Sequence, residues 1–433
     1  MSIDGLHVID LTVHPDARGY FKENWRIDWL DFHPVQQNVS LNVERGTTRG
    51  LHAEPWDKLV SVATGSVFGA WMDLREGSPT FGETFTTTIT PDTAVFVPRG
   101  VANGFQALED EVAYLYLVND HYSPNATYAN VSYRVIDWPL EPTNVSDKDQ
   151  HHSPEPTPVP PKKILVTGAN GQLGRALRKQ LGDRADYFSH KEFDVCNPPE
   201  LRYRNYSAII NTAAYNAVDK AECDAANAWA VNAQAPGKLA DIATQHDLTL
   251  VHVSTDFVFA GSDQDYTEDA EVTPLSTYGA SKAAGEIAAQ RSRRHYVVRT
   301  SWVIGDGANF VDTMRSLAER GVKPSVVHDQ VGTPTMASEL ARGIVHLLDK
   351  KCDYGLYHLT SGGDPVGRDE LAMATFIAVG HDPSEVRPVS TADYAQGKEL
   401  ARRPHRAVLS TSKIEATGFT PENWRVGLAL YLA

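Results

Sequence analysis

The sequence predicts a multidomain chain with an all-β first part, a proline-rich linker, and an α/β second part built on a parallel sheet. Three observations predict it. The stretch HHSPEPTPVPPKK, His151 to Lys163, holds five prolines and no apolar period, which describes a stiff, extended connection. Before it come short β-rich runs such as KLVSVATGSVFGAWMDL and TFTTTITPDTAVFVP, punctuated by Gly, Pro, Asn and Asp. After it, apolar strands such as KILVTG, SAIINTAA, LTLVHVSTD and HYVVRTSW alternate with alanine-rich helical stretches, the mark of βαβ units. The expected division is 1–150, a linker at 151–162, and 163–433.

A chain of 433 residues exceeds what one ordinary core organises, which agrees with two or more domains. No run of about 18 apolar residues occurs and MSIDGLHVID lacks an apolar signal core, so a cytoplasmic protein with no membrane association is expected. Cys196, Cys223 and Cys352 are odd in number and free of C-x-x-C spacing, which disfavours a disulfide framework and a thiolate zinc site. The net charge of -15 disfavours nucleic acid as a partner, and an anionic substrate would need local basic residues. The first part, rich in short strands, reads as an antiparallel barrel or jelly roll.

In the second part, KKILVTGANGQLGRALRKQL supplies a strand, then Gly168, Gly171 and Gly174, then a helix. Such a turn lets a pyrophosphate approach the helix N-terminus, where free N–H groups and the dipole favour anions. At the end of the second strand stand Ser189, His190 and Lys191, where an acid would grip a ribose 2′-hydroxyl. That leaves room for a 2′-phosphate, so NADPH is expected, with NADH possible. Thr255 closes a later strand, and Tyr278 and Lys282 follow in TYGASKAAGE at i and i+4, on one helix face. The nearby cation is expected to lower the phenol's pKa so that Tyr278 exchanges a proton near neutrality while Thr255 polarises a carbonyl.

The motifs INTAAYNAVDKAE, VNAQAPGKLA, STDFVFAG, PLSTYGASKAAGE, RTSWVIG, DQVGTPT and RRPHRAVLS resemble the dTDP-4-dehydrorhamnose reductases of the extended short-chain dehydrogenase/reductase family, across residues 162 to 433. The resemblance implies a Rossmann fold with a smaller substrate-binding subdomain. It implies cofactor contacts at Gly168, Asn170, Gly171, Gln172, Leu173 and Gly174, at Asp194 and Val195, at Ala213, Ala214 and Tyr215, and at Tyr278 and Lys282. Asp256 and Trp302 would meet the sugar, with the segment from Asp329 to Thr335 shaping the pocket. Phe257 stands where the family carries a tyrosine.

In the first part, DARGYFKENW, QQNVS, TRGLHAEPWDKLV, GSVFGAWMDLREGSPTFGE, FVPRGVANGF and SDKD resemble dTDP-4-dehydrorhamnose 3,5-epimerase, over residues 1 to about 150. The resemblance implies a metal-free, cupin-like jelly roll that forms a homodimer. It implies His52 as base, Asp149 as its orienting carboxylate, Tyr122 as acid and Lys58 as enolate stabiliser, with Arg18, Glu23, Gln36, Asn38 and Arg49 on the nucleotide. No second histidine is expected to accompany His52, which agrees with the absence of a metal, since a metal-binding cupin would offer several imidazole ligands. The family's AHGF is ANGF here, so Asn103 replaces a titratable ring in the substrate site. The implied function is bifunctional: epimerisation of a dTDP-linked 4-keto-6-deoxy sugar at C3 and C5, then reduction at C4 to dTDP-L-rhamnose. The alternative is a reductase carrying a non-catalytic sugar-nucleotide-binding or dimerisation module.

Overall fold

The computed structural model describes residues 3–122 and 128–433. The chain forms two compact units, Met1–Pro161 and Lys162–Ala433. No helix among the described residues is long and apolar enough to cross a membrane.

The first unit is built from two five-stranded antiparallel sheets. One orders its strands His7–Asp10, Thr93–Val97, Lys58–Thr64, Val112–Val118, Gln36–Asn42; the other runs Ala129–Asn130, Thr48–Ala53, Val101–Ala107, Val67–Asp73, Thr84–Ile89. The run KLVSVATGSVFGAWMDL does not fold back on itself. Its two strands pass into different sheets through Gly65, whose φ of 72° suits a residue without Cβ. Val60, Val62 and Val95 from one sheet then meet Val67, Trp71 and Phe105 from the other in one buried cluster.

Past Trp71 the chain turns over a fully buried carboxylate, Asp73, which accepts from Arg75, Ser78 and Thr80 at 2.6 to 3.0 Å. Burial alone would raise its pKa, but these donors hold it at about 2. The proline-rich stretch lies along this unit as far as Pro160. Val159 is buried, its N–H donates to the Leu74 carbonyl at 2.6 Å, and Arg99 donates to the Pro160 carbonyl at 3.0 Å.

The second unit holds a six-stranded parallel sheet ordered Ala185–Phe188, Lys163–Thr167, Tyr206–Asn211, Thr249–Thr255, His295–Thr300, Gly355–His358. Strand order reverses at Lys163–Thr167, and a crevice forms beyond the carboxyl ends of strands at such a point. Helices Gln172–Leu181 and Ala337–Asp349 cover one face through Leu177, Leu340 and Ile344, and helix Ala235–Gln245 covers the other through Leu239 and Ala243. A separate cluster of Ile304, Val311, Met336, Leu371 and Trp424 organises the C-terminal helices Phe310–Glu319, Arg368–Ala378 and Trp424–Leu432.

Candidate active sites

In the first unit, His52 sits on the strand Thr48–Ala53, whose ring faces a cavity of about 660 Å³. Ser146 caps the short helix Asp147–Gln150 by accepting from the Asp149 N–H at 3.2 Å, and this turn folds Asp149 back onto the sheet. Its carboxylate meets His52 Nε2 at 2.7 Å and accepts from the Gly50 N–H at 3.3 Å. Burial opposes ionisation of Asp149, but the His52 hydrogen bond and charge hold its pKa below the ordinary carboxylate range. With Nε2 committed to Asp149, Nδ1 is the ring nitrogen left to take a proton.

Arg49, Glu54, Tyr122 and Tyr128 line the same cavity. Tyr122 is exposed and approaches Tyr128 at 6.2 Å between centroids. Lys58 is buried and is not among the residues lining this cavity: its ammonium pairs with Glu54, which does line it, and lies 5.1 Å from the centre of the Tyr116 ring, and burial lowers its pKa to about 7. Asn103 pairs in register with His52, and its amide oxygen accepts from Tyr114 at 3.4 Å.

The structure does not bring the other expected nucleotide contacts to this cavity. Arg18 is exposed on the hairpin of Val13–Asp16 and Gly19–Lys22, held to Asp16 at 2.6 Å. Glu23 lines a different cavity with Trp29 and Arg26. Gln36 and Asn38 bond each other at 2.8 Å on the edge strand Gln36–Asn42. Separation in sequence also concealed a ring. His152 arrives from the end of the unit, and His52, Asp149 and His152 place their ligand-type atoms within 4.8 Å of one another. The expectation that no second imidazole accompanies His52 is therefore corrected.

In the second unit, the glycine turn has the shape a dinucleotide needs. Gly168 adopts a φ of 68°, and a Cβ on Gly174 would lie 2.6 Å from the Gly168 carbonyl, so only glycine lets the helix Gln172–Leu181 start this close to the strand. Gly171, Gln172 and Leu173 line a cleft of about 340 Å³ together with Ala214, Thr255, Tyr278 and Lys282. Asn170 is exposed at the turn's tip, and Ala213 follows the strand Tyr206–Asn211 with its N–H on Asn211. Tyr215 is anchored through Asn232, which accepts from its N–H at 2.8 Å. Val195 is buried in the core, and Asp194 accepts from Cys196 and Asn197, away from the cleft lining. Ser189 gives its N–H and hydroxyl to Glu192 at 2.8 and 2.7 Å.

The alanines and glycines of TYGASKAAGE are a packing device. Ser276 caps the helix Thr277–Ala289 from its side chain, and a Cβ on Gly279 would lie 2.3 Å from the Phe257 carbonyl. On Gly285 it would lie 1.9 Å from the Asn232 carbonyl, inside the π-turn Ala230–Gln234. The helix thus lies against the loop after Thr255. A buried pair, Arg299 with Glu286 at 2.7 Å, and Ser254 donating to Glu286 at 2.6 Å tie it to two strands.

The expected lowering of the Tyr278 pKa is corrected. Burial raises it to about 12, against a hydrogen bond with Thr255 that lowers it. Lys282 does not figure among the groups that set the Tyr278 pKa; its own ammonium donates to the Val253 carbonyl at 2.5 Å, and burial lowers its pKa to about 8. Thr255 donates to Asp256 at 2.9 Å; burial raises Asp256 to about 7.

Trp302 closes the cleft in a left-handed conformation, φ 44°, a strained choice for a bulky residue. Gly332, in DQVGTPT, lets the indole lie within 2.9 Å of where a Cβ would be, and Asp329 ties that segment to Thr391 at 2.6 Å. Sequence reading missed Arg368, a half-buried residue whose guanidinium stacks 4.2 Å from the centre of the Trp302 ring and lines the cleft. No motif marks it; only the fold carries the first residue of a distant helix to the cleft.

Residues 162–433 match the RmlD substrate binding domain, and residues 1–155 match the model for dTDP-4-dehydrorhamnose 3,5-epimerase. The chain belongs to the RmlD family, fused behind an epimerase-family part. It is 39% identical over 278 residues to the dTDP-4-dehydrorhamnose reductase of Mycolicibacterium smegmatis, covering 62% of this chain and 84% of that protein. The reductase of Aggregatibacter actinomycetemcomitans is 37% identical, covering 61% and 97%. The crystal structure of the Bacillus anthracis dTDP-4-dehydrorhamnose reductase in complex with NADP superposes with a TM-score of 0.57 at 32% identity, covering 63% of this chain and 98% of that one. The RmlD-family fusion thus joins an isomerase part and an oxidoreductase part in one chain.

Proposed function

We propose that the first unit epimerises C3 and C5 of a dTDP-linked 4-keto-6-deoxy sugar and that the second reduces C4, giving dTDP-L-rhamnose. The observation that carries this reading is the His52–Asp149 pair at a cavity of one unit. In the reading it complements the Thr255, Tyr278 and Lys282 cluster at the cleft of the other. The order follows from chemistry, because hydrogens beside C4 are acidic only while C4 is a ketone.

His52 Nδ1 takes the proton, the C–H pair moves into the enolate, and Tyr122 delivers a proton to the opposite face. Lys58, as the ammonium paired with Glu54, would offset the negative charge growing on the enolate oxygen without giving up or taking a proton. In the second unit Tyr278 gives its proton to the C4 oxygen, positioned by Thr255, while Asp256 and Trp302 hold the sugar. Bound NADPH supplies the hydride; the glycine turn, Ala214, Tyr278 and Lys282 would hold it. Arg368 is placed to meet the substrate's anionic part.

The same reading makes residues 1–150 a cupin-like jelly roll, 151–162 the connection, and 163–433 the reductase with its substrate-binding part, working in the cytoplasm. Val39 and Leu41 are exposed along an edge strand and Phe21 on the neighbouring hairpin, surfaces that a second copy would cover. Such a homodimer would give Arg18, Glu23, Gln36 and Asn38 a nucleotide to contact. The pairing of His52 with a buried carboxylate disfavours a non-catalytic first unit. The deciding experiment incubates the protein with the 4-keto sugar nucleotide in deuterated water, without and then with NADPH. Deuterium at C3 and C5 before any reduction, then NADPH-dependent loss of the ketone, is expected; reduction without deuterium uptake would leave only the reductase.

A further inference from the structure

The His52–Asp149 pair has a third member that neither the motif nor the mechanism above uses. His152 follows the helix Asp147–Gln150, and its N–H donates to the Asp149 carbonyl at 3.4 Å, which turns the ring back toward the pair. It meets His52 edge-on, with centroids 5.7 Å apart and planes at 85°. Its Nδ1 lies 3.7 Å from Asp149 Oδ1, the oxygen that His52 Nε2 bonds at 2.7 Å. The side chain is only 11% exposed, and neither ring nitrogen has a hydrogen-bond partner among the described residues.

An unsatisfied buried polar group destabilises the fold, and a phenyl ring would fill the same space without that cost. The imidazole must therefore be useful to something within reach, and the nearest acceptor is Asp149. We propose that His152 is a positioning residue for epimerisation: it acts as a second donor to Asp149 Oδ1, fixing the carboxylate on which His52 depends. A movement of roughly 0.5 Å closes the Nδ1 to Oδ1 gap to a hydrogen bond. His152 then shares the carboxylate's charge while His52 alone moves the substrate proton. The neighbouring strand cannot supply this ring, because Asn103 is the residue opposite His52 and carries no titratable proton.

The groups facing His152 are Asp149 and Lys148 from its own helix and His52 from the strand Thr48–Ala53. Arg134, on the segment after Ala129–Asn130, spends its guanidinium on the Gln150 carbonyl at 3.0 Å. Burial lowers the His152 pKa, with Asp149 opposing and His52 and Lys148 assisting, so the ring can donate an N–H as a neutral group.

The inference rests on His52 being the base, and the test separates the two. Exchange of the C3 and C5 hydrogens with deuterated water is followed from pH 5 to 9 on the full chain, with the 4-keto sugar nucleotide and no NADPH. His52→Ala should abolish exchange; if exchange survives, the base assignment falls and this inference with it. His152→Phe should lower kcat for exchange about tenfold with KM little changed, and should move the acid limb of the profile to higher pH, since Asp149 then gives its whole charge to His52. His152→Gln, which keeps a donor, should recover part of both effects. If His52→Ala is dead while His152→Phe keeps the parent rate and pH profile, the positioning role is wrong. Equal losses in His152→Phe and His152→Gln, with a lower melting temperature and an unmoved profile, would show a packing role and also overturn it. Reduction of pre-epimerised substrate should be unaffected in both variants.

Discussion

His52 and Asp149 meet across 97 positions of chain, whereas Tyr278 and Lys282 stand one turn apart on a single helix. The distant pair is joined by a direct 2.7 Å hydrogen bond, and that bond holds the carboxyl below its ordinary pKa. The adjacent pair is not so coupled. Lys282 turns to a main-chain carbonyl, and burial sets the tyrosine at about 12. Spacing therefore places groups on a common face, but desolvation and hydrogen-bond partners decide their proton affinities.

The comparison can be broken first at the tyrosine. Tyr278→Phe should cut reduction of pre-epimerised substrate at least about a hundredfold, with C3 and C5 exchange at the parent rate. NADPH oxidation and deuterium uptake, followed separately, check both halves. Near-normal turnover would remove Tyr278 from the chemistry. Asp149→Asn comes next. It keeps the shape but withdraws the charge, and should slow exchange by roughly ten- to a hundredfold while leaving reduction alone.

Packing gives a smaller effect. Gly285→Ala drives a methyl group into the Asn232 carbonyl and should destabilise the second unit by about 1 to 3 kcal/mol, an overpacking cost. Calorimetry should show one transition lowered by several degrees and the other in place; a joint shift of both would contradict the independence of the two cores. The smallest effect concerns acid. Asp73 titrates at about 2 when folded and near 4 when unfolded, so its stabilisation is complete above about pH 4 and is lost as pH falls toward 2. Asp73→Asn should flatten that part of the curve, read as the urea midpoint against pH.

The parallel sheet was legible because each strand is a short apolar run ended by a turn signal, and the glycine turn because its three glycines are sterically required. The two-sheet first unit was legible as β structure, but not the passage of KLVSVATGSVFGAWMDL between sheets, since both halves are buried and neither alternates cleanly. Val159 sits among prolines, and its pairing with Leu74 depends on a surface formed elsewhere in the chain. In the sites, Asp149 was found through motif order rather than pattern. His152 and Arg368 were missed for a common reason: each is a single polar residue whose role depends on where a distant segment is carried.

The position of the helix Asp147–Gln150 bears on synthesis and on truncation. A nascent chain that has emerged only as far as Val145 contains every strand of both sheets of the first unit, yet it lacks the carboxylate that His52 bonds. Such a fragment would pass for the finished unit by any probe of secondary structure. Activity in the first unit should switch on only when the last helical turn and the stretch through Val159 have been added, which makes deuterium uptake a sharper marker of completed folding than circular dichroism.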